Sequence, residues 1–424
     1  MKDLNISIEV NGKQHLVGHI YGNSYADAQF IYSRDYLNMK DIVPVSVNLP
    51  LQKEAFSAGE TAAFFEGLLP EGFSRRAVAN WAKSDEKDYL QILKKLGQEC
   101  LGALLVNEEG NEIPGGNYEK LSIQQVKALA AEGATRSTQL LLETHLSLTG
   151  ASGKVGLYHD KDHDEWYLPL GNFASTHIVK QSHIRLDQIV LNEQICVRTA
   201  NYIGIDVPDS FIIDMKNGDD ADVLYATERY DRQLSKKRTG DGLKIPMRLH
   251  QEDFAQALGI HSAYKYEVGK QGYLKKMFEL LRKHSSNPLE DQLKLWDRII
   301  FNYLIGNTDC HLKNYSLLYE SSMQGIRLAP AYDIVCTRAY NSTKDMSFYI
   351  GEETDIEKIN RNSFIQAADE AGLGKKMAMK HFDHLADTFE NSLKKAVEEL
   401  EGQGFTRTGK FTERILAGCG YRNL

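Results

Sequence analysis

An α+β chain in two lobes, preceded by a small accessory unit, is predicted by three features of this 424-residue sequence. Strand-like alternation around an Asn-Gly pair opens the chain. Strands, one helix and further strands follow through the middle, and from about Glu252 the pattern becomes mostly helical. The length exceeds what one hydrophobic core normally serves, so two or three packed units are expected.

Each element follows from local pattern. Ile6, Ile8 and Val10 alternate up to Asn11-Gly12, and Leu16 and Ile20 continue beyond it, which predicts a β-hairpin. Helical spacing follows at Phe64, Leu68 and Leu69 before Pro70, then over 77–81 and 89–96, and the unit ends in the loop 107–117. Strands are expected at 145–149, 154–159, 166–170 and 176–181. A helix over 191–203 stops at Gly204, and strands at 210–215 and 223–228 flank Asn217-Gly218 as a second hairpin. Trp296, Ile299, Ile300, Tyr303 and Leu304 mark one helical face that ends at Gly306. Short strands at 315–319 and 325–328, then helices at 364–371 and 375–400, complete the chain.

Bulk properties exclude several classes. Hydrophobic residues make up 42% and charged residues 25%, the balance of a folded globular protein. A net charge of −8 provides no general attraction to nucleic acid or to an anionic membrane. Five scattered cysteines without a C-x-x-C pair fit a reducing compartment and lack zinc spacing. The N-terminus has no signal-peptide core, and the longest apolar run, Ile299 to Ile305, is broken by Asn302. A cytoplasmic protein without a membrane partner is expected.

Two runs carry the chemistry: Asp309-Cys-His311-Leu-Lys313-Asn314 and Ala329-Pro-Ala-Tyr332-Asp333. An Asp, an Asn five residues later and a second Asp downstream suit phosphoryl transfer. Asp309 would accept the proton of an attacking hydroxyl. Asn314 and Asp333 offer oxygens suited to Mg²⁺, and Lys313 would neutralise charge on the transferred group. The spacing equals that of the protein-kinase loop H-R-D-x-x-x-x-N, but here the His follows the Asp. His311 is open between a base, a phosphate ligand and a packed residue bonded to backbone.

Upstream, Lys180 ends the alternating strand 176–180, where a kinase lysine reaches the α- and β-phosphates; an edge lysine would look the same. Glu193, in the next helix, is either its partner or a solvated first-turn glutamate. Ser147 to Gly156 contains a glycine turn able to cradle phosphates through backbone N–H groups. It is not a P-loop, because only two residues separate Gly150 from Gly153 and Val155 replaces the Ser/Thr. Glu228-Arg229-Tyr230 follows a strand, as a kinase hinge does. Asp160 to Asp164 lacks the Gly and Glu of a calcium loop and reads as a solvated hairpin tip.

In this order the motifs resemble the HipA family of serine/threonine kinase toxins over nearly the whole chain. The matching runs include Pro44 to Leu51, Phe64 to Gly72, Ser147 to Lys154, His177 to Lys180, Glu228 to Asp231, Gln251 to Asp253, Gly306 to Asn314 and Leu328 to Asp333. The resemblance implies an atypical two-lobed kinase fold. Its parts would be an accessory subdomain over 1–115, an N-lobe with the nucleotide loop over 116–250 and a helical C-lobe over 251–424. It implies ATP and Mg²⁺ as cofactors, with Asp309 as base and His311 and Lys313 beside it. Leu148, Thr149, Gly150, Ala151, Ser152, Gly153, Lys154, Lys180, Glu228, Arg229, Tyr230, Asn314, Tyr332 and Asp333 would surround the nucleotide.

The resemblance further implies autophosphorylation at Ser147, with Ser152 and Thr149 as competing positions, since Ser152-Gly153-Lys154 departs from the family's usual Gln-Glu-Lys. A phosphate there would compete with the charge of ATP. The implied partners are a HipB-like helix-turn-helix antitoxin, operator DNA only through that antitoxin, and a protein substrate such as an aminoacyl-tRNA synthetase, whose inactivation promotes dormancy. A small-molecule or lipid kinase uses the same chemistry, though a lipid kinase would show a basic or amphipathic membrane face. A catalytically silent corepressor is the third alternative, opposed by the intact catalytic residues.

Overall fold

The computed structural model describes residues 3–69, 71–97, 100–110, 115–135, 154–181, 186, 188–214, 223–340, 342–405 and 408–423. The chain forms two compact units, each assembled from separated segments. The first comprises residues 1–183, 213–262 and 318–326; the second comprises 184–212, 263–317 and 327–424.

In the first unit, β1 (Leu4–Val10) pairs antiparallel with β2 (Lys13–Tyr21). Asn11 and Gly12 both take positive φ, at 50° and 71°, as a two-residue hairpin turn requires. With β3 (Gln29–Tyr32) and β4 (Leu104–Glu108) they form a sheet of order β3-β2-β1-β4. Its apolar residues Ile6, Ile8, Val17 and Phe30 are fully buried. The helix Ala58–Phe65 begins at a Ser57–Glu60 capping box and brings Phe65 within 5.2 Å of the Phe30 ring.

A second sheet contains β5 (Asn117–Leu121), β6 (Lys154–Asp160), β7 (Glu165–Leu170), β8 (His177–Gln181) and β10 (Val223–Glu228) in the order β5-β7-β6-β8-β10. The edge strand β9 (Ser210–Asp214), of which residues 213–214 belong to this unit, lies next to β10. The expected strand at 145–149 and the Asn217-Gly218 turn lie outside the described residues. The β6–β7 connection is the expected exposed hairpin tip, with His163 Nδ1 2.6 Å from Asp160 Oδ2. A further ribbon, β11 (Arg232–Arg238) with β12 (Lys244–Arg248), has no apolar alternation and was not legible in the sequence.

In the second unit, the helix Pro288–Ile305 has Pro at its first turn and acidic Glu290 and Asp291 beside its N-terminal dipole. The five residues of the expected face, Trp296, Ile299, Ile300, Tyr303 and Leu304, are fully buried. Gly306 ends the helix in the left-handed region at φ 78°. A Cβ there would meet the carbonyl oxygen of Gly418 at 3.1 Å, so glycine answers both backbone and space. The helices Ile189–Tyr202, Arg361–Glu370 and Lys375–Gly402 fall where sequence spacing puts them, within a few residues. The strands Ser316–Tyr319 and Ile326–Leu328, of which residues 318–319 and 326 belong to the first unit, likewise match expectation.

Candidate active site

The catalytic run is built on a buried polar relay. Asn302, the residue that interrupts the apolar run, is 3% exposed within its helix, and Asn307 just beyond Gly306 is 2% exposed. Asn302 Nδ2 donates to the Tyr315 hydroxyl at 3.1 Å, and Asn307 Nδ2 donates to Asn302 Oδ1 at 3.0 Å. Asn307 Oδ1 then accepts the Asp309 backbone N–H at 3.2 Å. Burying two amides is costly unless they are bonded, so this chain of bonds admits one arrangement of the turn. Thr308 is fixed beside it: its N–H donates to Thr337 Oγ1 at 2.9 Å, and its carbonyl accepts from Ser347 Oγ at 2.8 Å.

The run therefore enters the site already oriented. Asp309 is exposed, while His311 and Lys313 are each 6% exposed. The backbone carbonyl of Asp309 accepts from the His311 N–H at 3.0 Å and from Asn314 Nδ2 at 2.7 Å. Only the nitrogen of an amide can donate, so this bond sets the Asn314 side chain and assigns its oxygen to the opposite role. The His311 ring stands edge-on to Tyr266 at 5.1 Å. The His311 ring is buried against Tyr266, a placement compatible with each of the three roles that its sequence position allows.

Asp333 takes φ 56°, a left-handed conformation that Asp tolerates better than most residues. Its approach is tied down on both sides. Arg298 Nη2 donates to the Ala329 carbonyl at 2.7 Å, and the Ala331 N–H donates to the Asp206 carbonyl at 2.7 Å. The Tyr332 hydroxyl donates to the Lys313 carbonyl at 2.9 Å and lies 2.6 Å from Ser316 Oγ. The residues preceding Asn314 and Asp333 are thus bonded to each other.

Among the described residues no group of three or more His, Cys, Asp or Glu side chains is assembled for a metal. An amide oxygen and one carboxylate, from Asn314 and Asp333, fit a hard ion that takes its remaining ligands from phosphate and water.

In the first unit, the register of β6 with β8 sets Lys154 opposite Lys180, and β8 with β10 sets Tyr225 opposite Lys180. Lys180 is 7% exposed, with Nζ 5.7 Å from the centre of the Tyr225 ring. Glu228 pairs with Lys161, and the Tyr230 hydroxyl bonds Gln251 Oε1. Arg229 is buried and held by several bonds. Its guanidinium is committed to both Asp231 oxygens at 2.9 and 2.8 Å and to Ser175 Oγ at 3.0 Å, and its N–H donates to the Thr176 carbonyl at 2.9 Å. Asp231 also accepts from Arg232 and from the Gly102 N–H, and these cations outweigh burial to hold its carboxyl below the usual range. Glu193 is buried on the helix Ile189–Tyr202. Ser147, Leu148, Thr149, Gly150, Ala151, Ser152 and Gly153 lie outside the described residues.

Asn302, Asn307 and Tyr266 were not anticipated as site residues. For Asn302 the signal was present, as a lone amide in an apolar helical face.

A family model described as the HipA-like C-terminal domain matches residues 146–393, and one described as the HipA N-terminal domain matches residues 8–107. The chain belongs to the HipA family. It is 34% identical over 395 residues to the putative kinase Y4mE of Sinorhizobium fredii, spanning 91% of this chain and 90% of that protein. The serine/threonine-protein kinase toxin HipA of Shewanella oneidensis is 23% identical over 431 residues, 98% of this chain and 95% of that protein. The solved structure of Shewanella oneidensis HipA with HipB and its operator DNA matches at a TM-score of 0.78 and 21% identity, covering 98% of this chain and 96% of that one. At that identity the likeness establishes the α+β HipA-like fold. Both named relatives carry the word kinase, so at family level this chain stands among kinases. No described helix is long and apolar enough to cross a membrane.

Proposed function

We propose that this HipA-family chain is an ATP-dependent serine/threonine protein kinase and the toxin of a two-component toxin–antitoxin module. The observation that carries the kinase assignment is the bond from Asn314 Nδ2 to the Asp309 carbonyl, which couples the base to the metal-binding amide across five residues. In this assignment Asp309 takes the proton of a serine hydroxyl as its oxygen attacks the γ-phosphorus and ADP leaves. Asn314 and Asp333 hold Mg²⁺, which neutralises phosphate charge when bound. Lys180 and Lys154 meet the nucleotide phosphates, Glu228 and Tyr230 lie on the hinge, and residues 148–153 complete the loop. Tyr332, Lys313 and His311 support the run, and Ser147 is the autophosphorylation position. The three-part division at 1–115, 116–250 and 251–424 is proposed with these roles.

A HipB-like antitoxin is the proposed partner, supported by the matching HipA structure, which was solved with HipB and operator DNA. A cytoplasmic translation component, such as an aminoacyl-tRNA synthetase, is the proposed substrate. The test is intact-mass spectrometry of the purified chain after incubation with Mg-ATP, beside Asp309→Asn. A phosphate adduct on the native chain alone, mapped to Ser147, is expected. No adduct together with no ATP binding by calorimetry, in protein shown to start unphosphorylated, would sink the kinase assignment.

A further inference from the structure

Tyr266 reaches the candidate base from a segment that no site motif includes. Its hydroxyl donates to Asp309 Oδ1 at 2.5 Å, although the residue is 41% exposed. A surface tyrosine usually points into water, and a bond between two solvated side chains contributes little unless both are already oriented.

Here the backbone supplies that orientation from both sides. The Lys265 carbonyl accepts the Leu312 N–H at 3.3 Å, within the catalytic run itself. On the other side, the Glu267 N–H donates to the Ser347 carbonyl at 2.9 Å. The Glu267 carboxylate accepts from the backbone N–H groups of Gln271 at 2.6 Å, Tyr273 at 3.1 Å and Tyr349 at 3.0 Å. The Tyr264 carbonyl accepts from the Tyr273 hydroxyl at 2.7 Å. The ring is bounded by His311 edge-on at 5.1 Å and by Lys265 Nζ at 5.3 Å. A phenol so constrained is a fixed donor aimed at one carboxylate oxygen.

We infer that Tyr266 is a positioning residue for phosphoryl transfer, holding the Asp309 carboxylate in one orientation as the acceptor of the substrate proton. The inference rests on the kinase assignment proposed above. A gate that blocked the acceptor position would have the opposite effect on rate, and the two are separated by sign.

Tyr266→Phe removes the hydroxyl and keeps the ring against His311. The single-turnover autophosphorylation rate at saturating ATP is followed by intact mass for the native chain and Tyr266→Phe, with ATP affinity by calorimetry and stability by melting temperature. In parallel, crystal structures of both nucleotide-free proteins compare the orientation of the Asp309 carboxylate. The expected result is a rate at saturating ATP lower by about tenfold or more, unchanged ATP affinity and melting temperature, and an Asp309 carboxylate turned from its native orientation in Tyr266→Phe. An unchanged carboxylate orientation overturns the inference, as does a faster variant or a phosphate on Tyr266 itself. If the native chain transfers no phosphate, the kinase assignment fails, and the crystal structures still decide whether Tyr266 orients Asp309.

Discussion

Lys154 and Lys180 stand directly opposite each other on adjacent antiparallel strands, with Lys180 almost fully buried. Directly opposed like charges destabilise a sheet unless a counter-charge offsets them, and in the proposed assignment both ammonium groups serve the nucleotide phosphates. Lys180→Met should therefore separate binding from stability. ATP affinity by calorimetry should fall at least tenfold, while the melting temperature stays level or rises. A lower melting temperature with unchanged affinity would assign Lys180 to the fold instead.

The Tyr332 hydroxyl joins the two halves of the candidate metal site through the Lys313 carbonyl. Tyr332→Phe removes that bond and leaves the ring in place. The hydroxyl also bonds Ser316 Oγ, so two neutral hydrogen bonds are lost, at about 1 kcal/mol of stability each. The phosphorylation rate should fall more steeply than that, and the Mg²⁺ concentration for half-maximal rate should rise. An unchanged Mg²⁺ dependence would show that the bond does not organise the site.

Asn307 carries two bonds of the buried relay, one to Asn302 and one to Asp309. Asn307→Ala leaves both partners wanting and should destabilise the chain by about 1–3 kcal/mol. Urea unfolding measures the loss. Because the Asp309 backbone is also released, the rate at a temperature where the variant is folded should drop as well. Full activity in the folded variant would mean that the turn keeps its shape without the relay.

Glu252 predicts a pH dependence of stability in the first unit. Its carboxylate accepts from Ser46 Oγ at 2.5 Å, the Val47 N–H at 3.0 Å and the Tyr319 hydroxyl. Burial outweighs these donors, with the Asp253 charge adding to it, and pushes the carboxyl up to about 7 from an ordinary 4.5. Between those values the folded chain holds a proton that the unfolded chain has released. Stability from this group is therefore complete below the unfolded value, declines as pH rises through the window, and levels off above about 7. Glu252→Gln mimics the protonated form and should flatten that decline, by about 3 kcal/mol at most. Melting curves from pH 4.5 to 8 compare the two, and parallel profiles would remove Glu252 from the account.

Periodic and punctuated segments were legible without the structure. The Asn11-Gly12 hairpin, the buried face ending at Leu304 and the stop at Gly306 each follow from one local rule. The Asp309, Asn314 and Asp333 spacing pointed to phosphoryl transfer for the same reason, because the chemistry fixes residue type over short distances. Tyr266 was out of reach, since its bond to Asp309 depends on tertiary contacts 43 residues apart in sequence. The side-chain partners of Arg229, Ser175 and Asp231, were likewise out of reach, because they meet it only once the strands are paired. The basic ribbon 232–248 carried no period at all, its stability coming from backbone pairing rather than an apolar face.

The chain passes between its two compact units at five points along the sequence, near residues 183, 212, 262, 317 and 326. A single cleavage therefore frees neither unit as one uninterrupted piece. A fragment ending at 262 would lack residues 318–326, and with them Tyr319, one of three donors to Glu252. Protease digestion of the native protein should thus yield nicked chains that stay together until denatured. For a gene encoding it, most truncations should abolish both units at once, giving a product that is either whole or inert.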